Sequence, residues 1–169
     1  PPGEFTDLDH LVHELRLYKS AAELRQLRRA GAISVAAHLR AMRQCRPGLF
    51  EYQLEGELQH EFIRHGARHA AYPSIVAAGA NACIMHYVRN EDPIRAGDLV
   101  LVDAGAEFRG YAADLTRTFP ADGRFRGVQG ELYDLVLAAQ EAGFVYKDGG
   151  VGMLYLSMPL ENRPGPQWT

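Results

Sequence analysis

The sequence predicts an α+β fold in which helices pack on a small antiparallel sheet. Three observations lead there: amphipathic helical stretches in the first third of the chain, a strand–turn–strand run in LVLVDAGAEFRGYAADLTRTFP at 99–120, and a helical pattern that resumes near Val128. A chain of 169 residues is long enough for one domain to bury a core. Its apolar share of 47% and mixed charge exclude a disordered polymer. A net charge of -3 gives no electrostatic attraction to nucleic acid or anionic membrane. No apolar run approaches the roughly 20 residues that cross a bilayer, and no basic, apolar leader opens the sequence. Cys45 and Cys83 lack metal-type spacing, so the expectation is reduced thiols in a soluble, cytoplasmic protein.

The elements follow in order. PPGEFTDLDHLVHELRLYKS reads as a linker and short helix arriving from a preceding domain, which sets a boundary near residue 18. Ser20-Ala21-Ala22-Glu23 is a capping box with Ser20 as N-cap. The helix it starts runs to about Cys45, with Leu24, Leu27, Val35, Leu39 and Met42 as its apolar stripe, until Pro47-Gly48 stops it. Gly31 falls on that stripe and costs roughly 1 kcal/mol relative to alanine, which suggests close packing there. A second helix covers about Glu51 to His65 on the stripe Leu54, Leu58 and Phe62, and Gly66 ends it. Tyr72 to Gly79 reads as a strand and Cys83 to Tyr87 as a short apolar piece. Leu99 to Glu107 and Gly110 to Phe119 form the hairpin, and a last helix spans about Val128 to Ala142.

The hairpin carries an aspartate in each arm. A turn centred between Phe108 and Arg109 places Asp103 opposite Asp114 on one face, where Cβ atoms lie about 4.5–5.5 Å apart and like charges repel. Val100, Leu101 and Val102 before Asp103 are apolar on both faces, as in a buried strand. A buried carboxylate pair either shares a proton or finds a counter-cation. No lysine lies in the hairpin and Arg117 alternates onto the other face, so a divalent metal, single or paired, competes with a protonated dyad. HEFIRH at 60–65 imitates a helical zinc motif, but a spacing of five turns the second imidazole about 140° away. His60 and His65 are therefore expected on the surface.

DAGAEFRGYAADLTRTFP, together with RRAG at 28–31, RPG at 46–48 and MHY at 85–87, resembles the aminopeptidase P branch of the pita-bread metallopeptidases. The resemblance covers about residues 15 to 143. It implies two divalent metals, commonly manganese, held by two aspartates, one histidine and two glutamates. Asp103 then binds one metal and Asp114 bridges both. His86 faces the substrate and helps move protons; its bland alternative is a core histidine bonded to backbone. Tyr72 packs beside the metal site and orients a ligand from outside, or is an ordinary buried aromatic. Thr116 hydrogen-bonds a metal-bound carboxylate, or is a threonine chosen by strand propensity.

The resemblance implies about half of a pita-bread fold, at 19–143. The family's second half supplies the histidine and both glutamates, yet all seven histidines here lie at or before residue 86. Residues 144–169 match no family motif, and Glu161 sits in a proline- and glycine-rich context, so this tail reads as truncated or aberrant. An uncovered sheet face would favour association into a homo-oligomer. The implied activity of the parent protein is removal of an N-terminal residue that precedes proline, from peptides. The alternatives are a dipeptide-specific prolidase and a non-catalytic pita-bread module that binds peptides.

Overall fold

A computed structural model describes residues 7–143. The linker reading of the first six residues and the non-family reading of 144–169, Glu161 included, fall outside them. Among the described residues no helix is long and apolar enough to cross a membrane.

Helix α1 (Asp9–Leu17) buries nothing, and Leu8, Leu11 and Leu15 stand exposed along it. Helix α2 (Ala21–Gln44) starts at the expected capping box: the Ser20 hydroxyl accepts from the Glu23 N–H at 3.3 Å, and the Glu23 carboxylate accepts from the Ser20 N–H at 2.7 Å. Its packed face differs from the expected stripe. Leu24, Leu27, Val35, Leu39 and Met42 are half-buried, as is Gly31, while Ala30, Ile33, Ser34, Ala37, His38 and Ala41 are buried. Small side chains let the helix approach the sheet closely, and the bulky ones flank that contact. The polar members are bonded locally. Ser34 Oγ donates to Ala30 O at 2.9 Å and accepts from the Ala106 N–H at 2.9 Å, tying helix to sheet. His38 Nδ1 lies 2.9 Å from Ser34 O, and burial pushes this imidazole below its ordinary pKa.

Helix α3 (Glu51–Arg64) buries Leu54, Leu58 and Phe62 as expected, and Gly66 follows its end at φ +88°. His65 is half-buried and paired with Glu61 at 2.8 Å, whereas His60 is exposed. The zinc-motif reading of that segment stays excluded.

The strands form two sheets rather than one. Strands β2 (Ile75–Ala78), β3 (Leu99–Asp103) and β6 (Thr116–Pro120) make the order β2-β3-β6. Strands β1 (His69–Ala70), β4 (Ala106–Phe108) and β5 (Tyr111–Ala112) make the order β1-β4-β5. Strand β1 escaped the sequence reading because two residues carry no period. Each of three chain passes leaves one sheet and enters the other at the same level, between Ala70 and Ile75, at Ala104-Gly105 and at 113–115. The core lies on the inner face of this bent surface, where Val76, Val100 and Val102 meet Ile33, Leu54 and Phe62. Helix α4 (Val128–Gly143) closes the described chain with Val128, Leu132, Leu135 and Val136 exposed.

The register also corrects the expected one. Asp103 pairs with Thr116, Leu101 with Thr118 and Phe108 with Tyr111, so the turn is centred between Arg109 and Gly110. Both turn residues have positive φ, +53° and +85°. A two-residue hairpin loop needs that backbone to match the strand twist, and glycine at the second position supplies it cheaply. The pairing therefore moves by two residues from the expected register, and Asp114 does not face Asp103 directly. Side chains alternate with a period of two, so this shift keeps both aspartates on one face.

Candidate metal centre

The seam between the two sheets builds the site. Asp103 ends β3 and is half-buried; Asp114 lies in the break between β5 and β6 and is exposed. Around the break Ala104 N–H donates to Leu115 O at 3.1 Å and Ala113 N–H donates to Ala106 O at 3.0 Å. Gly105 sits between those bonds. A Cβ there would come within 1.7 Å of the Ala113 carbonyl oxygen, so only glycine allows the two arms to cross so closely. The same break in the third pass leaves Tyr72 between β1 and β2.

Tyr72 joins the carboxylates. Its hydroxyl lies 2.6 Å from Asp103 Oδ1 and 3.1 Å from Asp114 Oδ1. One phenolic proton is thus shared by two acidic side chains that are not direct cross-strand partners. Burial raises the Tyr72 pKa, as do the bond to Asp103 and the charges of both aspartates, so the phenol remains a donor. Among the described residues no lysine or arginine forms an ion pair with either aspartate. Arg117 is paired with Val102 on the opposite face, and its guanidinium donates to Thr116 O. Two converging carboxylates with a single neutral donor therefore leave uncompensated negative charge and free oxygen lone pairs. That donor set suits a hard or borderline divalent cation.

Thr116 is the direct partner of Asp103 on the same face, exposed at the end of β6. His86 is exposed with φ +56°. Its neighbour Tyr87 packs on Ile75 and Ala77, on the sheet face that carries Leu101 and Asp103. Among the described residues no group of three or more His, Cys, Asp or Glu could hold a metal ion.

Comparison with known proteins identifies the family. The model for metallopeptidase family M24 matches residues 25–151. The chain belongs to metallopeptidase family M24. Xaa-Pro aminopeptidase from Escherichia coli is 54% identical over 149 residues, which cover 88% of this chain and 34% of that protein. The structure of proline aminopeptidase P II from Yersinia pestis superposes with a TM-score of 0.81 at 60% identity, over 83% of this chain and 32% of its own. Zinc-substituted Escherichia coli aminopeptidase P in complex with product superposes with a TM-score of 0.82 at 56% identity, over 83% of this chain and 32% of its own. The M24 chain spans about a third of the length of these relatives. Its helices and bent sheets form part of the pita-bread fold, as the motifs implied.

Sequence reasoning missed one buried polar centre, which bonds to the last residue of β2. Glu51 is fully buried, as are Asn90 and Ser74. A signal for Glu51 was present, because it stands in line with Leu54, Leu58 and Phe62 on the buried stripe of α3.

Proposed function

We propose that this chain forms part of the catalytic domain of a metal-dependent aminopeptidase that removes an N-terminal residue preceding proline. The observation that carries the reading is the convergence of Asp103 and Asp114 on one Tyr72 hydroxyl, with no cationic side chain paired to them among the described residues. In this reading Asp103 and Asp114 would hold two divalent metals, with manganese as the metal in use. When bound, such metals supply the positive charge that activates water and polarises a scissile carbonyl. The residues of this chain bind and orient. Tyr72 steers both carboxylates from outside, Thr116 braces Asp103 across the strand pair, and His86 meets the substrate and assists proton movement. The remaining histidine and two glutamates would come from the second half of the domain and not from this chain. The proline preference follows from the relatives' names, and the dipeptide-specific alternative keeps the same metal roles. A cytoplasmic setting fits the free Cys45 and Cys83. The exposed apolar residues of α4 fit a surface covered by the rest of the domain or by association with a second copy.

The test needs two proteins. One carrying both halves of the domain should cleave an Xaa-Pro peptide with manganese, lose this on chelation, and lose it below detection in Asp114→Asn. The chain alone should show no turnover and bind manganese weaker than micromolar by calorimetry, because two carboxylates fill a minority of the coordination positions. Micromolar binding with turnover by the chain alone would overturn the division of ligands. Peptide binding without cleavage by the complete domain would favour the non-catalytic peptide module.

A further inference from the structure

A second carboxylate centre is hydrogen-bonded to the loop that carries His86. The Glu51 side chain, wholly buried at the first residue of α3, accepts four hydrogen bonds. Its Oε1 accepts from the Ala78 N–H at 2.8 Å and from Asn81 Nδ2 at 3.0 Å. Its Oε2 accepts from the Tyr87 hydroxyl at 2.7 Å and from the Asp92 N–H at 3.0 Å. These donors begin and end one loop, from the 3₁₀ turn at Gly79–Cys83 to Asp92. Asn81 also donates to Asp92 Oδ2 at 2.8 Å, closing the loop on itself. One turn further along α3, Glu55 accepts from Asn90 Nδ2 at 2.9 Å, and Asn90 Oδ1 takes the Val76 N–H at 2.9 Å. Among the described residues Glu51 forms no ion pair. Its partners are all neutral donors. Burial and the bond to Glu51 raise the Tyr87 phenol above its ordinary value, which keeps it a donor.

The crest of this loop faces solvent. Ile84, Met85, His86 and Val88 are exposed, and His86 holds a positive φ that a non-glycine residue adopts at a cost. A strained residue on an exposed crest keeps its place only if the base beneath it is rigid. We infer that Glu51 is a positioning residue for His86, acting through Tyr87, Asn81 and Asp92 to clamp the loop that presents the imidazole to substrate. The inference rests on the substrate-facing role of His86 proposed above.

The test pairs hydrogen exchange on the chain with kinetics on a protein carrying both domain halves. Glu51→Gln cannot satisfy all four donors, because the amide nitrogen accepts nothing. Amides of residues 79–92 should then exchange roughly tenfold faster or more, while those of β3 and α2 change little. Tyr87→Phe removes one donor with little change of shape and should give a smaller acceleration in the same segment, which covers the case in which Glu51→Gln folds poorly. Tyr87→Phe in the complete protein should lower kcat with metal content unchanged and KM moving less. Uniform acceleration throughout the chain would reduce Glu51 to a general stabiliser and overturn the inference. So would local acceleration with unchanged kcat while His86→Ala is impaired. If His86→Ala is also silent, the role of His86 fails, while local acceleration still supports the clamp.

Discussion

The chain places carboxylates in two opposite environments, at Glu51 and at the Asp103–Asp114 pair. Glu51 is sealed from solvent and receives four hydrogen bonds from neutral donors. The aspartates are half-buried and exposed, and share one phenolic proton. Satisfaction makes the first structural: every lone pair it turns toward a donor fixes a piece of chain, and no capacity is left for a ligand. In the proposed reading, under-satisfaction makes the second receptive to a cation. Repulsion between the aspartates is tolerated because the backbone at the seam holds them, and a cation would relieve it. Burial alone would have ranked the two in the wrong order for function.

The largest effect should separate the aspartates from the loop crest. In a protein carrying both domain halves, Asp114→Asn should abolish metal-dependent cleavage and strip metal, whereas His86→Ala should reduce turnover with most metal retained. Metal analysis alongside the peptide assay checks this, and equal metal loss in both would move His86 to the metal side.

Next comes the backbone that makes the pair possible. Gly105→Ala puts a methyl group into the Ala113 carbonyl, which is backbone and cannot step aside. Destabilisation of about 3 kcal/mol or more is expected in urea titration. A loss under about 1 kcal/mol would mean that the seam is not held as tightly as its geometry implies.

Glu51→Ala should cost the chain roughly 3 kcal/mol, since the buried Ala78 N–H and Tyr87 hydroxyl lose their acceptor and a buried unmet donor costs about 1–3 kcal/mol. The converse change at the other centre should have the opposite sign. Without metal, Asp103→Asn removes repulsion and should stabilise the chain by up to about 1 kcal/mol. Thermal melts of the two variants in chelator are the direct comparison. Destabilisation by Asp103→Asn would show that its carboxylate is structural after all, and would dissolve the contrast.

Much of the fold was legible. The capping box at Ser20, the Leu54–Leu58–Phe62 stripe and the stop at Pro47-Gly48 are local patterns, and they reappear as helix boundaries and a buried face. On α2 the apolar stripe pointed to the flanks, because hydropathy favours large residues while the closest packing used alanines. Strand β1 and the division into two sheets had no local signature.

By itself the sequence determined which residues share a face of the hairpin, because a period of two survives a shift of two residues. It also carried the motifs that mark the M24 family. Tertiary structure alone decided the register, through the positive φ values of Arg109 and Gly110, and the seam, through Gly105 against Ala113. It decided too that Tyr72 reaches across to aspartates 31 and 42 residues away, and that Glu51 is sheltered by donors as far as Asp92. Such contacts join segments whose spacing in the chain carries no period, so they exist only once the three strand passes bend together.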